Sequence, residues 1–275
     1  MTGLGSEVAP EADGCLASVA VPDSVLGIAA GRPHHLVWQN EDALTFEVGA
    51  DDDRCFVKWA PNSSPSDLVA EAERMTWAVR FTPVPVVLGG GADDLGRWLV
   101  TAALPGRSAV DPRWVAQPRS AVRAIGEGLR ALHEALPVES CPFSWTAQHR
   151  VERRLRAAVV GRLNPPASWE PEHQHLSIRQ ALDLVSDIPP DDKVVVCHGD
   201  ACAPNTLLTD DGRWSGHVDL GALGVADRWA DLAVAAWSTG WNYGPGWEGE
   251  LLDAYGVQPD PERIKYYRLL WDVDG

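Results

Sequence analysis

The chain has 275 residues, 45% hydrophobic and 23% charged, which suits one large domain or two lobes around a cleft. Its net charge of −16 argues against a nucleic-acid partner, which needs a basic footprint, and suits a cationic ligand. No apolar run approaches the roughly 18 residues of a membrane span, and no basic, apolar leader is evident. Five scattered cysteines (15, 55, 141, 197, 202) fit reduced thiols, so a cytoplasmic, monomeric protein with no membrane partner is expected.

Residues 1–20 are rich in Ala, Gly and acids without periodicity and read as a flexible arm. "HLVWQ", "ALTFEVG" and "RCFVKWA" then read as three short strands parted by acidic turns. "PSDLVAEAERMTWAV" follows as a helix with Leu68, Ala72, Met75 and Val79 on one face, and Glu71 falls inside that apolar stripe. "VPVVLGG" and "RWLVTAAL" give two more strands joined by "GGADDLG". Past "LPG" at 104–106 the pattern turns helical, with one amphipathic helix over 113–136 and others at about 149–163 and 176–187. "KVVVCHGD" leads into a β-hairpin, "NTLLTDDGRWSGHVDLG", turning at Asp211-Gly212, and helices close the chain. The expected architecture is α+β: residues 21–103 a small β-sheet lobe with one helix, a hinge near 101–106, and residues 104–275 a larger, mainly helical lobe.

Two spacings carry chemistry. Asp200-x-x-x-x-Asn205 has the catalytic-loop separation of phosphoryl transfer, where the Asp meets the acceptor hydroxyl and the Asn holds Mg²⁺. Fourteen residues on, "VDLG" places Asp219 in the form of the second metal-holding motif, and the hairpin folds the two segments together. Asn205 and Asp219 are thus candidates to flank one hard cation. Among the basic residues there are 20 Arg and only three Lys, so Lys58 in an apolar strand calls for a reason. A phosphate-contacting lysine oriented by the inward-facing Glu71 supplies one. A rival reading of "CHGDACAPN" is a zinc site on Cys197, His198 and Cys202; it lacks a second Cys-x-x-Cys pair and leaves the Asp–Asn spacing unexplained.

"HGDxxxxN" followed by "VDLGALGVADRWADLAVA" resembles the aminoglycoside phosphotransferase family, in particular the 3′ and 3″ O-phosphotransferases, from about residue 35 onward. The resemblance implies a two-lobed, protein-kinase-like fold, ATP between the lobes, Mg²⁺, and an acidic groove for a cationic aminoglycoside. It assigns Asp200 to the acceptor hydroxyl, Asn205 and Asp219 to Mg²⁺, and Lys58 with Glu71 to the phosphates. It further implies that the Thr101 carbonyl and Ala103 N–H meet adenine, and that His198 and Asp231 support the catalytic loop. Glu170, Glu172, Asp272 and Asp274 are the candidates for drug contact. The chain departs from the family in three places: "WQNED" lacks the glycines of a phosphate-covering loop, Ala222 replaces an arginine, and the tail ends "LLWDVDG". For the first, backbone N–H groups and the Asn40 side chain are expected to serve. The tail tilts the expectation towards 3″ chemistry on streptomycin. The remaining alternatives are a kinase of this fold acting on another small hydroxylated molecule, and a nucleotide-binding protein without catalysis.

Overall fold

The computed structural model describes residues 20–274, so residues 1–19 of the expected arm lie outside the described residues. The first half runs α1 (Asp23–Ala29), β1 (His34–Gln39), β2 (Leu44–Val48), β3 (Cys55–Pro61), α2 (Leu68–Ala78), β4 (Val87–Ala92) and β5 (Gly96–Ala102). The strands form one antiparallel sheet in the order β1-β2-β3-β5-β4. The three strands, the helix and the two further strands stand where the hydrophobic pattern put them.

Strand periodicity sorts this sheet's residues between two faces. Cys55, Val57 and Trp59 of β3, with Trp98 and Val100 of β5, pack with Val25 and Ala29 of α1. Lys58 pairs with Leu99 across β3 and β5, and both fall on the opposite face, towards α2 and the cleft. The sequence reading placed no element at α1; it is seven residues long, contains Gly27 and turns only Val25, Ile28 and Ala29 inward. In α2, Asp67 caps the N-terminus by accepting the Ala70 N–H at 3.0 Å, and Leu68, Glu71 and Met75 are buried. Val79, placed on that stripe, lies past the helix end and is exposed.

The second half continues β6 (Arg107–Ser108), α3 (Pro112–Val115), α4 (Pro118–Ala135), α5 (Ala147–Val159), α6 (Ile178–Val185) and β7 (Val194–Cys197). It closes with β8 (Thr206–Leu208), β9 (Trp214–His217), β10 (Gly224–Asp227), α7 (Trp229–Tyr243), α8 (Glu248–Tyr255) and α9 (Pro261–Asp274). The single helix expected over 113–136 is two, because Pro118 opens α4 and Gln117 leaves the helical region (φ −130°, ψ 56°). Val122, Ile125, Leu129 and Leu132 of α4 are fully buried, as their spacing predicted. α4 crosses α8 closely at Gly126, where a Cβ would lie 2.5 Å from the Leu251 carbonyl oxygen. α7 is apolar nearly all round and runs through the core with Asp231 inside it.

The end of α9 is tied to α5 by charge. Asp274 accepts from Arg150 Nε at 2.8 Å and Arg153 at 2.7 Å, and lies 3.1 Å from Arg154 Nε. Arg150 and Arg153 also stack on Trp145. Burial pushes the Asp274 carboxyl up, but the arginines outweigh it and hold it below the ordinary range. This corrects the expectation that Asp274 meets a drug's amines: its cations are the chain's own.

Asp274→Asn is therefore expected to lower the unfolding free energy by about 3 kcal/mol near neutral pH, since it leaves a buried guanidinium without its counter-charge. Because the folded-state pKa is depressed, the gap to wild type is full above the unfolded value of about 3.9 and closes as pH falls through the folded one. Urea unfolding at several pH values reads both effects; an unchanged midpoint near neutrality would contradict the account.

Candidate active site

One cleft between sheet and helices, about 530 Å³ in volume, is lined by Lys58, Glu71, Thr101, Asp200, Asn205 and Asp219 together. Lys58 Nζ donates to Glu71 Oε2 at 3.0 Å and to Asp219 Oδ1 at 2.7 Å. Burial lowers the lysine's proton affinity, yet Asp219 and Glu71 more than reverse this and raise its pKa. Burial and the charge of Asp219 push Glu71 up to about 7, against the pull of Lys58. Asp219 is pushed up by burial but held below the ordinary range by Lys58. Its backbone sits at φ 61°, a conformation uncommon for a non-glycine residue and tolerated best by Asn and Asp.

The loop carrying Asp200 is clamped from behind by α7. Asp231 Oδ2 accepts the His198 N–H at 2.6 Å and Oδ1 accepts the Gly199 N–H at 2.9 Å. Seven residues on, two turns along the same face, Ser238 Oγ accepts the Ala203 N–H at 2.9 Å. The two side chains of one helix thus hold both ends of the loop. His198 spends both ring nitrogens on backbone: Nε2 donates to the Val218 carbonyl at 2.9 Å and Nδ1 accepts the Asp200 N–H at 3.2 Å. The ring joins the Asp200 loop to the strand end that carries Asp219. Gly199 adopts φ +87°, and a Cβ there would lie 2.2 Å from the Ala222 carbonyl oxygen.

At the loop's tip, Asn205 Nδ2 donates to the Asp200 carbonyl and to Asp200 Oδ2, each at 3.0 Å. The other carboxylate oxygen, Oδ1, is buried without a hydrogen-bond partner. Burial and the nearby Asp219 raise the Asp200 pKa. Such an orphaned acceptor is costly to keep unless a donor is to be supplied from outside.

Other expectations are redirected. Ala103 is not part of the cleft lining, and its N–H points to the Arg54 carbonyl at 3.3 Å, so that donor is not held open for adenine. The "WQNED" turn closes on itself: Asn40 Oδ1 accepts the Asp42 and Ala43 N–H groups, and the Asn40 N–H goes to the Ala43 carbonyl. The expected backbone donors at 40, 42 and 43 are thereby spent within the turn. Glu170, Glu172, Asp272 and Asp274 are absent from the cleft lining; the first three gather where the 170–173 segment meets α9, and Asp274 lies against α5. Asp272 is buried and committed to His173 Nδ1 at 2.5 Å and to the Glu170 N–H, which corrects its assignment to drug contact. Glu170 is raised by burial and by Asp272, and Glu172 is exposed.

The zinc reading fails on geometry. Among the described residues the one metal-capable grouping of His, Cys and acids is His133, Cys197 and Asp231, which leaves out His198 and Cys202. All three are buried; burial drives the Cys197 thiol up, and its Sγ donates to the Asp227 carbonyl. Three supporting residues escaped the sequence reading: His133, Tyr255 and Ser238. The signal for His133 was there, since it falls four residues after Leu129, on the buried stripe of α4.

Residues 35–267 match the phosphotransferase enzyme family. The chain belongs to that family. It is 39% identical over 221 residues to an aminoglycoside 3′-phosphotransferase of Streptomyces fradiae, covering 77% of this chain and 81% of that one. It is 32% identical to the streptomycin 3″-kinase of Streptomyces griseus, covering 88% and 89%. Among solved structures, a 3″-type aminoglycoside phosphotransferase from Streptomyces rimosus, in complex with ADP and streptomycin, superposes with a TM-score of 0.69 at 28% identity, covering 84% of this chain and 90% of that one. The two-lobed, kinase-like α+β fold implied by the motifs is thus the fold observed.

Gly199→Ala places a side chain against backbone in the left-handed region, so the folded state should lose about 2 kcal/mol. Thermal unfolding checks this, and a wild-type midpoint would contradict the strain assigned to the loop.

Proposed function

We propose that this chain transfers the terminal phosphoryl group of ATP to a ring hydroxyl of an aminoglycoside and so protects its host from the drug. The observation that carries the reading is the convergence of Lys58, Glu71, Asp200, Asn205 and Asp219 on one cleft. In this reading residues 21–103 hold the nucleotide, residues 104–275 supply the catalytic loop and substrate groove, and the enzyme works as a cytoplasmic monomer. None of the helices among the described residues is long and apolar enough to cross a membrane.

Lys58, oriented by Glu71, contacts the ATP phosphates, and Thr101 offers its carbonyl to the adenine edge. Asn205 and Asp219 would hold Mg²⁺, which supplies charge neutralisation on the phosphates. Both residues fit a hard cation: they bring oxygen ligands, and with the Asn205 amide nitrogen spent on Asp200, the amide oxygen is the atom left to ligate. Asp200 Oδ1 accepts the acceptor hydroxyl's proton or hydrogen bond, which satisfies its orphaned lone pairs. His198 and Asp231 keep that carboxylate in place without touching substrate. Glu170 and Glu172 are the acids left to meet the drug's ammonium groups, in a chain whose net charge of −16 attracts them.

On ring position, 39% identity to the 3′ enzyme against 32% to the 3″ kinase favours the 3′ hydroxyl over the streptomycin reading suggested by the tail. Purified protein is expected to consume ATP when kanamycin or neomycin is added and to yield a 3′-phosphorylated product, located by phosphorus NMR. Streptomycin as the better substrate would reverse the ring assignment. Turnover with only a non-drug alcohol would move the substrate class, and ATP binding without any turnover would overturn the enzymatic reading.

A further inference from the structure

The hydrogen bonds behind the catalytic loop do not end at Asp231. The oxygen that accepts the His198 N–H also faces His133 Nε2 of α4 at 2.9 Å, and His133 Nδ1 faces the Tyr255 hydroxyl of α8 at 2.9 Å. All three side chains are buried. Burial alone would push the Asp231 carboxyl up, but the His133 hydrogen bond helps hold it below the ordinary range. Asp231 is therefore ionised and accepts only, so the proton between it and His133 rides on Nε2. In the neutral ring Nδ1 is then the acceptor and Tyr255 the donor, its hydroxyl pushed up to about 12 by burial.

We propose that Tyr255 and His133 are positioning residues for phosphoryl transfer: a directional relay, Tyr255 O–H to His133 Nδ1 and His133 Nε2–H to Asp231, fixes the carboxylate that sets the backbone under Asp200. Asp231 uses its two oxygens on the two amides that precede Asp200, and the next amide, of Asp200 itself, is held by His198. Gly199 has no slack to absorb a rotation of that carboxylate, because Ala222 backbone closes on its α-carbon. A turn of the Asp231 carboxylate would thus be passed to Asp200. Three helices, α4, α7 and α8, each contribute one member, so their packing register is transmitted to the catalytic carboxylate. A buried polar set of this kind is costly unless fully satisfied, and apolar residues of similar volume fill a core as well; the relay's directionality gives the polarity a purpose.

The proposal rests in part on the phosphotransfer reading, so its test has one arm that needs no substrate. In Tyr255→Phe, which removes a single hydroxyl, and in His133→Gln, which keeps a donor near the Nε2 position, amide exchange is followed by NMR. Exchange at the His198 and Gly199 amides is expected to accelerate on the order of tenfold, with the Val57 amide in the sheet unchanged. In the second arm kcat falls on the order of 10- to 100-fold while the KM for ATP stays within about threefold, and His133→Gln retains more activity than His133→Ala. Unchanged exchange at the two loop amides in Tyr255→Phe overturns the relay whatever the activity. Faster exchange with wild-type kcat makes the relay purely structural and overturns the positioning role. Absence of turnover in the wild-type protein would count against the phosphotransfer reading alone, since the exchange arm still decides the relay.

Discussion

Lys58 is where the two halves of the molecule meet. Its ammonium group, on an otherwise apolar strand, would be expensive to remove from water without partners. It has two: Glu71 from α2, and Asp219 from beyond the β8–β9 hairpin, 161 residues away along the chain. That requirement reaches far into the fold. Strand parity must turn Lys58 towards the cleft while Val57 and Trp59 face α1, and α2 must accept a carboxylate inside its apolar stripe. Asp219 must adopt a backbone conformation that few side chains favour.

A second buried charge organises the opposite wall. Asp231 sits fully inside the core, tolerable because three donors converge on it from α4 and from the loop. With Ser238 on the same face of α7, it converts the eight residues between β7 and β8 into a rigid support for Asp200 and Asn205. Rigidity matters here because phosphoryl transfer asks the protein for placement and charge neutralisation more than for covalent work. The unsatisfied Asp200 Oδ1 lines the cleft, where an acceptor hydroxyl is needed.

Much of this was legible in the sequence, for identifiable reasons. A chain that uses arginine almost everywhere else draws attention to Lys58, and the 3.6-residue period exposes Glu71 as an acid on the wrong face. The Asp200–Asn205 spacing and the "VDLG" segment state their chemistry locally. The acidic tail did not, because a carboxylate's role depends on which cations reach it. Asp274 and Asp272 look alike in sequence as surface acids, yet one is enclosed by Arg150, Arg153 and Arg154 and the other by His173. The Asn40 turn misled for a related reason: the atoms expected to meet phosphate are needed to close the turn. α1, seven residues with Gly27 inside it, is too short for a periodic pattern to stand out.

The account stands on Asp200 as the residue that meets the acceptor hydroxyl, and its most direct test compares Asp200→Ala with wild type in two measurements on the same preparations. Turnover of ATP with a saturating aminoglycoside should fall by about 10²- to 10⁴-fold, the usual contribution of a general base, while the affinity for a non-hydrolysable ATP analogue changes by less than about threefold. Turnover near the wild-type rate in a folded Asp200→Ala protein would remove Asp200 from the chemistry and contradict the site as described.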